Sequence, residues 1–121
     1  MIILVVKGFL NSFRYALAGI VCVFRTQRNM KVHCVAATLA VTVGLFLRLS
    51  SSEWVDIVLS IFFVLAAEAI NTAVEAAVNL CTTEKHPWAK VAKDCAAGAV
   101  LLAAVNSVIV AVLVFGKRIL S

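Results

Sequence analysis

The chain has 121 residues, 64% of them hydrophobic and only 14% charged, with a mean hydropathy of +1.07. Ordinary soluble domains are about half apolar and a quarter charged, and a short chain hides a smaller share of its surface than a long one, so a soluble fold is excluded. Disorder is excluded as well, because it requires low hydrophobicity.

The bilayer is the natural solvent for such a chain, and its length allows a single membrane domain over residues 1–121. Eleven Lys and Arg against six Asp and Glu leave a net charge of +5. The basic residues cluster near the ends of apolar runs, which fits phospholipid headgroups and topology signals rather than nucleic acid. Cys22, Cys34, Cys81 and Cys95 form no CxxC pair and no zinc-ligand spacing, so they are expected to be reduced packing residues. The start, Met1-Ile2-Ile3-Leu4-Val5-Val6, is apolar but short and lacks a basic leader, so no cleavable signal peptide is expected.

In chain order, residues 3–26 come first. Val5, Phe9, Phe13, Leu17 and Ile20 recur at helical spacing, interrupted by Lys7, Asn11, Arg14 and Arg25. This pattern predicts an amphipathic helix lying on the membrane surface. Arg28-Asn29-Met30-Lys31 is a polar break. The run from Val32 to Leu47 is apolar apart from His33 and threonines. It is shorter than the usual span of about 20 residues, but it crosses as residues 31–48 if Lys31 and Arg48 reach back to the headgroups.

After a turn at Leu49-Ser50-Ser51-Ser52-Glu53, residues 53–80 form the second predicted span, with Trp54 suited to the interface. Residues 81–93 read as a polar loop broken by Pro87. Residues 92–116 form the third and clearest span, closed by Lys117 and Arg118. Three spans put the amino terminus and the 81–93 loop on one side, with Lys7, Arg14, Arg25, Arg28, Lys31, Lys85, Lys90 and Lys93. The other side holds Arg48, Lys117 and Arg118. The positive-inside rule then assigns the amino terminus and that loop to the cytoplasm. The expected fold class is all-α integral membrane.

The chemistry concentrates in the second span, where each ionisable group costs about 2.5–3.5 kcal/mol on insertion. Glu68 and Glu75 are two turns apart and share a helix face with Asn71, Thr72 and Asn79. Ala66, Ala67, Ala69, Ala73, Ala76 and Ala77 surround them and permit close helix approach. A polar seam gluing helices together would suit Asn71 and Thr72 alone. Two carboxylates on one face repel and lose solvation, so they call for a divalent cation, a basic neighbour or protonation. Lys93 and Asp94, at the start of the third span, add a cation and a further acid. A lysine near phosphate and acids near magnesium are components of phosphoryl transfer. There is no GxxxxGK[ST] loop and no GxGxxG turn, so a nucleotide would be held by helix side chains and the 81–93 loop.

The block from Glu68 through Asn71-Thr72-Ala73 and Glu75 to Asn79, followed by His86-Pro87 and Ala92-Lys93-Asp94, resembles the prokaryotic diacylglycerol kinase and undecaprenol kinase family. Gly19, Arg28-Asn29-Met30-Lys31 and His33 match it too, and the resemblance covers nearly the whole chain. It implies an ATP- and magnesium-dependent lipid kinase of the bacterial inner membrane, a homotrimer of three-span subunits with a surface helix and composite sites. By that resemblance Glu68 is the general base that takes the lipid hydroxyl proton, and Asn71 orients the phosphate or Glu68. Glu75 binds magnesium, Lys93 neutralises phosphate charge, and Asp94 orients Lys93 or contacts the nucleotide. Tyr15, Glu84, Lys85 and His86 lie near the nucleotide. Tyr15 reads equally as an interfacial anchor, and His86 as a solvated loop residue.

Two positions depart from the family. Gln27 stands where the family has a glutamate that acts as the second metal ligand, and Asn79 stands where it has an aspartate. An amide keeps the shape but loses the charge, so Gln27 would hold magnesium more weakly. A weakened kinase is therefore one expectation. Two other classes remain open: a small ion-conducting or transport oligomer, since carboxylates in a span also mark ion pathways, and a catalytically silent structural homologue. The acceptor is a membrane lipid alcohol, diacylglycerol or undecaprenol.

Overall fold

Four helices account for almost the whole chain in a computed structural model that describes residues 1–121: α1 Ile2–Thr26, α2 Arg28–Leu47, α3 Ser51–Cys81 and α4 Pro87–Leu120. All four, α1 included, are long and apolar enough to cross a membrane. α1 differs from the others in carrying Lys7, Asn11 and Arg14 among its apolar positions.

The helix boundaries follow local chemistry. α1 stops at Gln27, whose backbone is extended (φ −96°, ψ 118°) and whose N–H still closes onto the Val23 carbonyl. α2 then starts at once with Arg28, so residue 27 is a one-residue hinge between two helices. α2 ends at Arg48 in the left-handed region (φ 54°, ψ 59°), a cost for a non-glycine residue. Its N–H is satisfied by the Gly44 and Leu45 carbonyls, and the bend tucks Leu49 into the interior.

α3 begins with a reciprocal capping box. Ser50 Oγ accepts from the Glu53 N–H at 3.3 Å, and the Ser50 N–H donates to Glu53 Oε1 at 3.0 Å, so two otherwise unpaired donors are satisfied.

The polar loop is shorter than the 81–93 reading. Residues 87–93 are the first two turns of α4, because Pro87 occupies the first helical position, where its missing N–H costs nothing. His86 caps that end, its Nδ1 accepting from the Trp88 N–H at 3.2 Å. Pro87 starts a helix rather than breaking one.

α3 and α4 form the central antiparallel pair. Glu53 and Arg118 join them at one end, and Asn79 and Lys93 at the other. Between these ends, Val64 and Ala67 pack on Val100 and Ala103. Asn106 Nδ2 donates to Ser60 Oγ at 3.5 Å in mid-helix. α2 lies alongside α3 in antiparallel register, from Gly44 beside Trp54 to His33 beside Glu68.

Only 14 of 121 residues are buried within the chain, so most of its apolar surface needs cover from outside. Of α1, Val23 alone is buried. All four cysteines are free. Cys22, Cys81 and Cys95 lie on the surface rather than packing inside as expected, and Cys34 is half-buried.

Candidate active site

Glu68 is the most buried ionisable group of the chain, at 1% exposure. It sits there because α3 places it one position beyond Ala67, which packs against α4, on the side facing α2. Neither carboxylate oxygen has a hydrogen-bond partner. Burying such a group without partners is costly, and it leaves the acceptor capacity of both oxygens unused.

Asn71 follows one turn later and is also buried. Its amide nitrogen donates to Glu75 Oε1 at 3.3 Å, while its Oδ1 is unpaired. Thr72 turns its hydroxyl back onto the Glu68 carbonyl at 2.8 Å, a local bond that removes it from the polar face. Seven residues at 1.5 Å each put Glu75 about 10 Å along the helix axis from Glu68, and Glu75 is half-buried. The face thus grades from a dry carboxylate at Glu68 to a wetter one at Glu75 and an exposed amide at Asn79.

At that wetter end α4 contributes the cations. Lys93 Nζ donates to Asn79 Oδ1 at 2.8 Å. Asp94 does not orient Lys93 here. It pairs instead with Lys90, one turn earlier on the same helix, the favoured spacing for such a contact. The Asp94 carboxylate holds Lys90 above the ordinary lysine range. That charge is lost only as pH rises through the raised value, so Lys90 stays cationic at neutral pH. Together with Glu84, Lys85, His86 and Lys93, these two residues line an open groove of about 610 Å³. The groove thus carries three lysines against two carboxylates, a small positive excess that favours an anion.

Gln27 and Tyr15 lie elsewhere. Gln27 is at the hinge between α1 and α2, its amide donating to Thr26 Oγ1 at 3.4 Å. Tyr15 is 75% exposed on α1. No three His, Cys, Asp or Glu side chains converge in the way a metal cage requires. The donor set fits magnesium of another kind, one held by one or two protein oxygens plus substrate phosphates. The Glu75 carboxylate has the right oxygen chemistry for that on this face; the Gln27 side-chain carbonyl has it too, but at the α1–α2 hinge and without a contact to Glu75.

Sequence reading had matched His33 to the family without assigning it a role. Its Nε2 lies 3.7 Å from Glu68 Oε2. The signal is its setting: His33 is the one basic residue inside the otherwise apolar run from Val32 to Leu47. His33 also lines a second, apolar groove of about 260 Å³ between α2, α3 and α4.

The family model for prokaryotic diacylglycerol kinase matches residues 14–115. The chain belongs to this family. It is 44% identical over 107 residues to the undecaprenol kinase of Bacillus subtilis, covering 88% of this chain and 87% of that protein. It is 43% identical over 107 residues to a diacylglycerol kinase of Synechocystis, covering 88% of this chain but 61% of that protein, so the chain spans less than two thirds of that relative. A diacylglycerol kinase of Helicobacter pylori is 31% identical over 99 residues, covering 79% of this chain and 77% of that protein. The resemblance read from the Glu68–Asn79 block is borne out, and nothing in these relatives favours an ion-conducting or transport protein.

Proposed function

We propose that this chain transfers the γ-phosphate of ATP to the hydroxyl of a membrane lipid alcohol, diacylglycerol or undecaprenol. Family membership makes it a lipid kinase, a phosphotransferase with an alcohol acceptor. The observation that carries the site assignment is Glu68: a carboxylate at 1% exposure with both oxygens unpaired, on an apolar helix, two turns from a second carboxylate.

In this reading the lipid enters sideways from the bilayer and ATP comes from the cytoplasmic side. Glu68 takes the proton as the lipid O–H bond breaks and the new O–P bond forms. The bond from the γ-phosphorus to the β,γ-bridging oxygen breaks, and ADP leaves. Positioning and charge neutralisation are the main protein contributions in such a transfer. Asn71, tied to Glu75 by its amide, presents its free Oδ1 beside Glu68. Lys93 neutralises phosphate charge from its seat on Asn79, and Asp94, through Lys90, shapes the groove. Glu84, Lys85 and His86 bind the nucleotide there, with Tyr15 from α1 as an aromatic contact. Magnesium, held by Glu75 and the Gln27 carbonyl, would supply further neutralisation of the phosphates. Gln27 brings no charge to it, so the metal is held weakly.

The active unit is a homotrimer in the bacterial inner membrane. The exposed apolar surface of a chain with so few buried residues supports assembly and lipid contact. Residues 3–26 lie on the membrane surface, residues 31–48, 53–80 and 92–116 cross it, and the amino terminus and the 81–93 segment face the cytoplasm.

The test presents the purified full-length chain with labelled ATP, magnesium and, separately, undecaprenol, diacylglycerol and a simple long-chain alcohol. Phosphorylated undecaprenol or diacylglycerol is the expected product. ATP hydrolysis without any lipid product would overturn the reading.

A further inference from the structure

We propose that His33 is a positioning residue for the phosphoryl transfer: its Nε2–H holds the Glu68 carboxylate in the orientation from which it takes the lipid proton. This rests on the reading of Glu68 as the base.

Four observations carry it. Nε2 of His33 is 3.7 Å from Oε2 of Glu68, the only ion-pair contact that Glu68 makes. Both of those atoms are buried and lack any hydrogen-bond partner. Surroundings offer no substitute: the buried residues that α1 and α4 contribute are Val23, Ala96, Val100, Ala103 and Val114, all apolar. Lastly, the charged groups that α3 and α4 place beyond Glu68 on this face are engaged with one another or with amides. Glu75 accepts from Asn71, Lys93 donates to Asn79, and Asp94 pairs with Lys90.

The apolar groove explains why a holder is needed. Its lining runs along α2 and α3 from Ala40 and Ile57 to His33 and Leu65, and Leu65 is one turn from Glu68. His33 is the only ionisable residue in that lining. Glu68, packed at 1% exposure just beyond that lining, has three rotatable bonds and no hydrogen bond to select among its rotamers. One donor on a neighbouring helix selects the productive one. At 3.7 Å the contact is about half an ångström beyond the hydrogen-bond range, and catalytic contacts are often long before substrate binds and tighten in the reacting complex. The imidazole is itself held by α2, so the orientation of Glu68 depends on how α2 is seated against α3.

Three single variants and one double variant of the full-length chain test this, with steady-state lipid phosphorylation as the readout and thermal melting as the check on folding. His33→Leu keeps an apolar helix and removes the donor. It is expected to lower kcat about 10–100-fold, the size of effect a misplaced catalytic group produces, with KM for ATP unchanged. His33→Gln places an amide N–H near the same point and is expected to recover most of the rate. Glu68→Gln lowers kcat about 100-fold or more, and adding His33→Leu leaves that residual rate unchanged, because a holder has no effect without the group it holds. Full kcat in His33→Leu, or a further loss in the double variant, overturns the His33 role while leaving Glu68 intact. Full activity in Glu68→Gln overturns the base assignment itself and His33 with it. A His33→Leu variant that melts at a much lower temperature, with His33→Gln equally slow, would mean that the residue serves packing only, and also overturns the proposal.

Discussion

Lys93 donates from Nζ to Asn79 Oδ1 at 2.8 Å, and this bond fixes the last turns of α3 against the first turns of α4. It brings together a residue of the carboxylate-bearing helix and a residue of the lysine-lined groove. An aspartate would add charge to the bond and hold the lysine more tightly. Asn79→Leu removes the acceptor and is expected to raise KM for ATP about tenfold, while Asn79→Asp stays within a few fold of the parent chain. Steady-state kinetics in ATP check both.

Lys93 itself faces the groove with its charge. Lys93→Met is expected to lower kcat/KM for ATP by about 100-fold or more, the scale on which cationic clamps contribute to phosphoryl transfer. Lipid dependence should not change. An unaltered ATP response would remove Lys93 from the phosphate site.

Gln27 forms the hinge between α1 and α2 with an uncharged amide. Gln27→Glu adds a carboxylate for magnesium, and a hard cation prefers a charged oxygen. The magnesium concentration needed for half-maximal activity is therefore expected to fall several fold. Titrating magnesium with the two chains side by side gives the answer, and equal half-points would detach Gln27 from the metal.

Gly44 allows α2 to meet the start of α3. A Cβ at that position would stand 2.8 Å from Trp54 Cη2 and 3.0 Å from Leu49 Cδ1. Because a ring edge and a buried leucine cannot both give way without disturbing the turn at Arg48, Gly44→Ala is expected to cost about 1–3 kcal/mol, as overpacking does. Thermal melting in detergent measures it, and an unchanged midpoint would show that the turn absorbs the extra carbon.

The helical order of the chain was legible because hydrophobic runs and basic breaks alternate along it. Much of the site was legible too, since Glu68, Asn71, Glu75 and Asn79 recur at helical spacing in a run where charge is costly. Pro87 was misread because a lone proline signals either the end of a helix or its first turn, and only the neighbouring cap at His86 decides between them. The pairing of Asp94 with Lys90 rather than Lys93 depends on which rotamer reaches which oxygen, and two adjacent lysine spacings compete for one carboxylate. Contacts between helices were out of reach altogether. Arg118 Nε donates to Glu53 Oε1 and Oε2 at 3.0 and 3.1 Å across 65 residues of sequence, and His33 meets Glu68 across 35. Nothing in helical periodicity specifies which turns of two antiparallel helices stand level.

Phosphorylation of a lipid alcohol by this chain is expected to depend on the buried carboxylate of Glu68. The most direct measurement is the amount of labelled lipid phosphate formed per minute by the parent chain and by Glu68→Gln, each folded in the same detergent with ATP, magnesium and either undecaprenol or diacylglycerol. The account predicts product from the parent chain and a fall of about 100-fold or more in the variant, the range for loss of a general base. Equal rates in the two chains would contradict it.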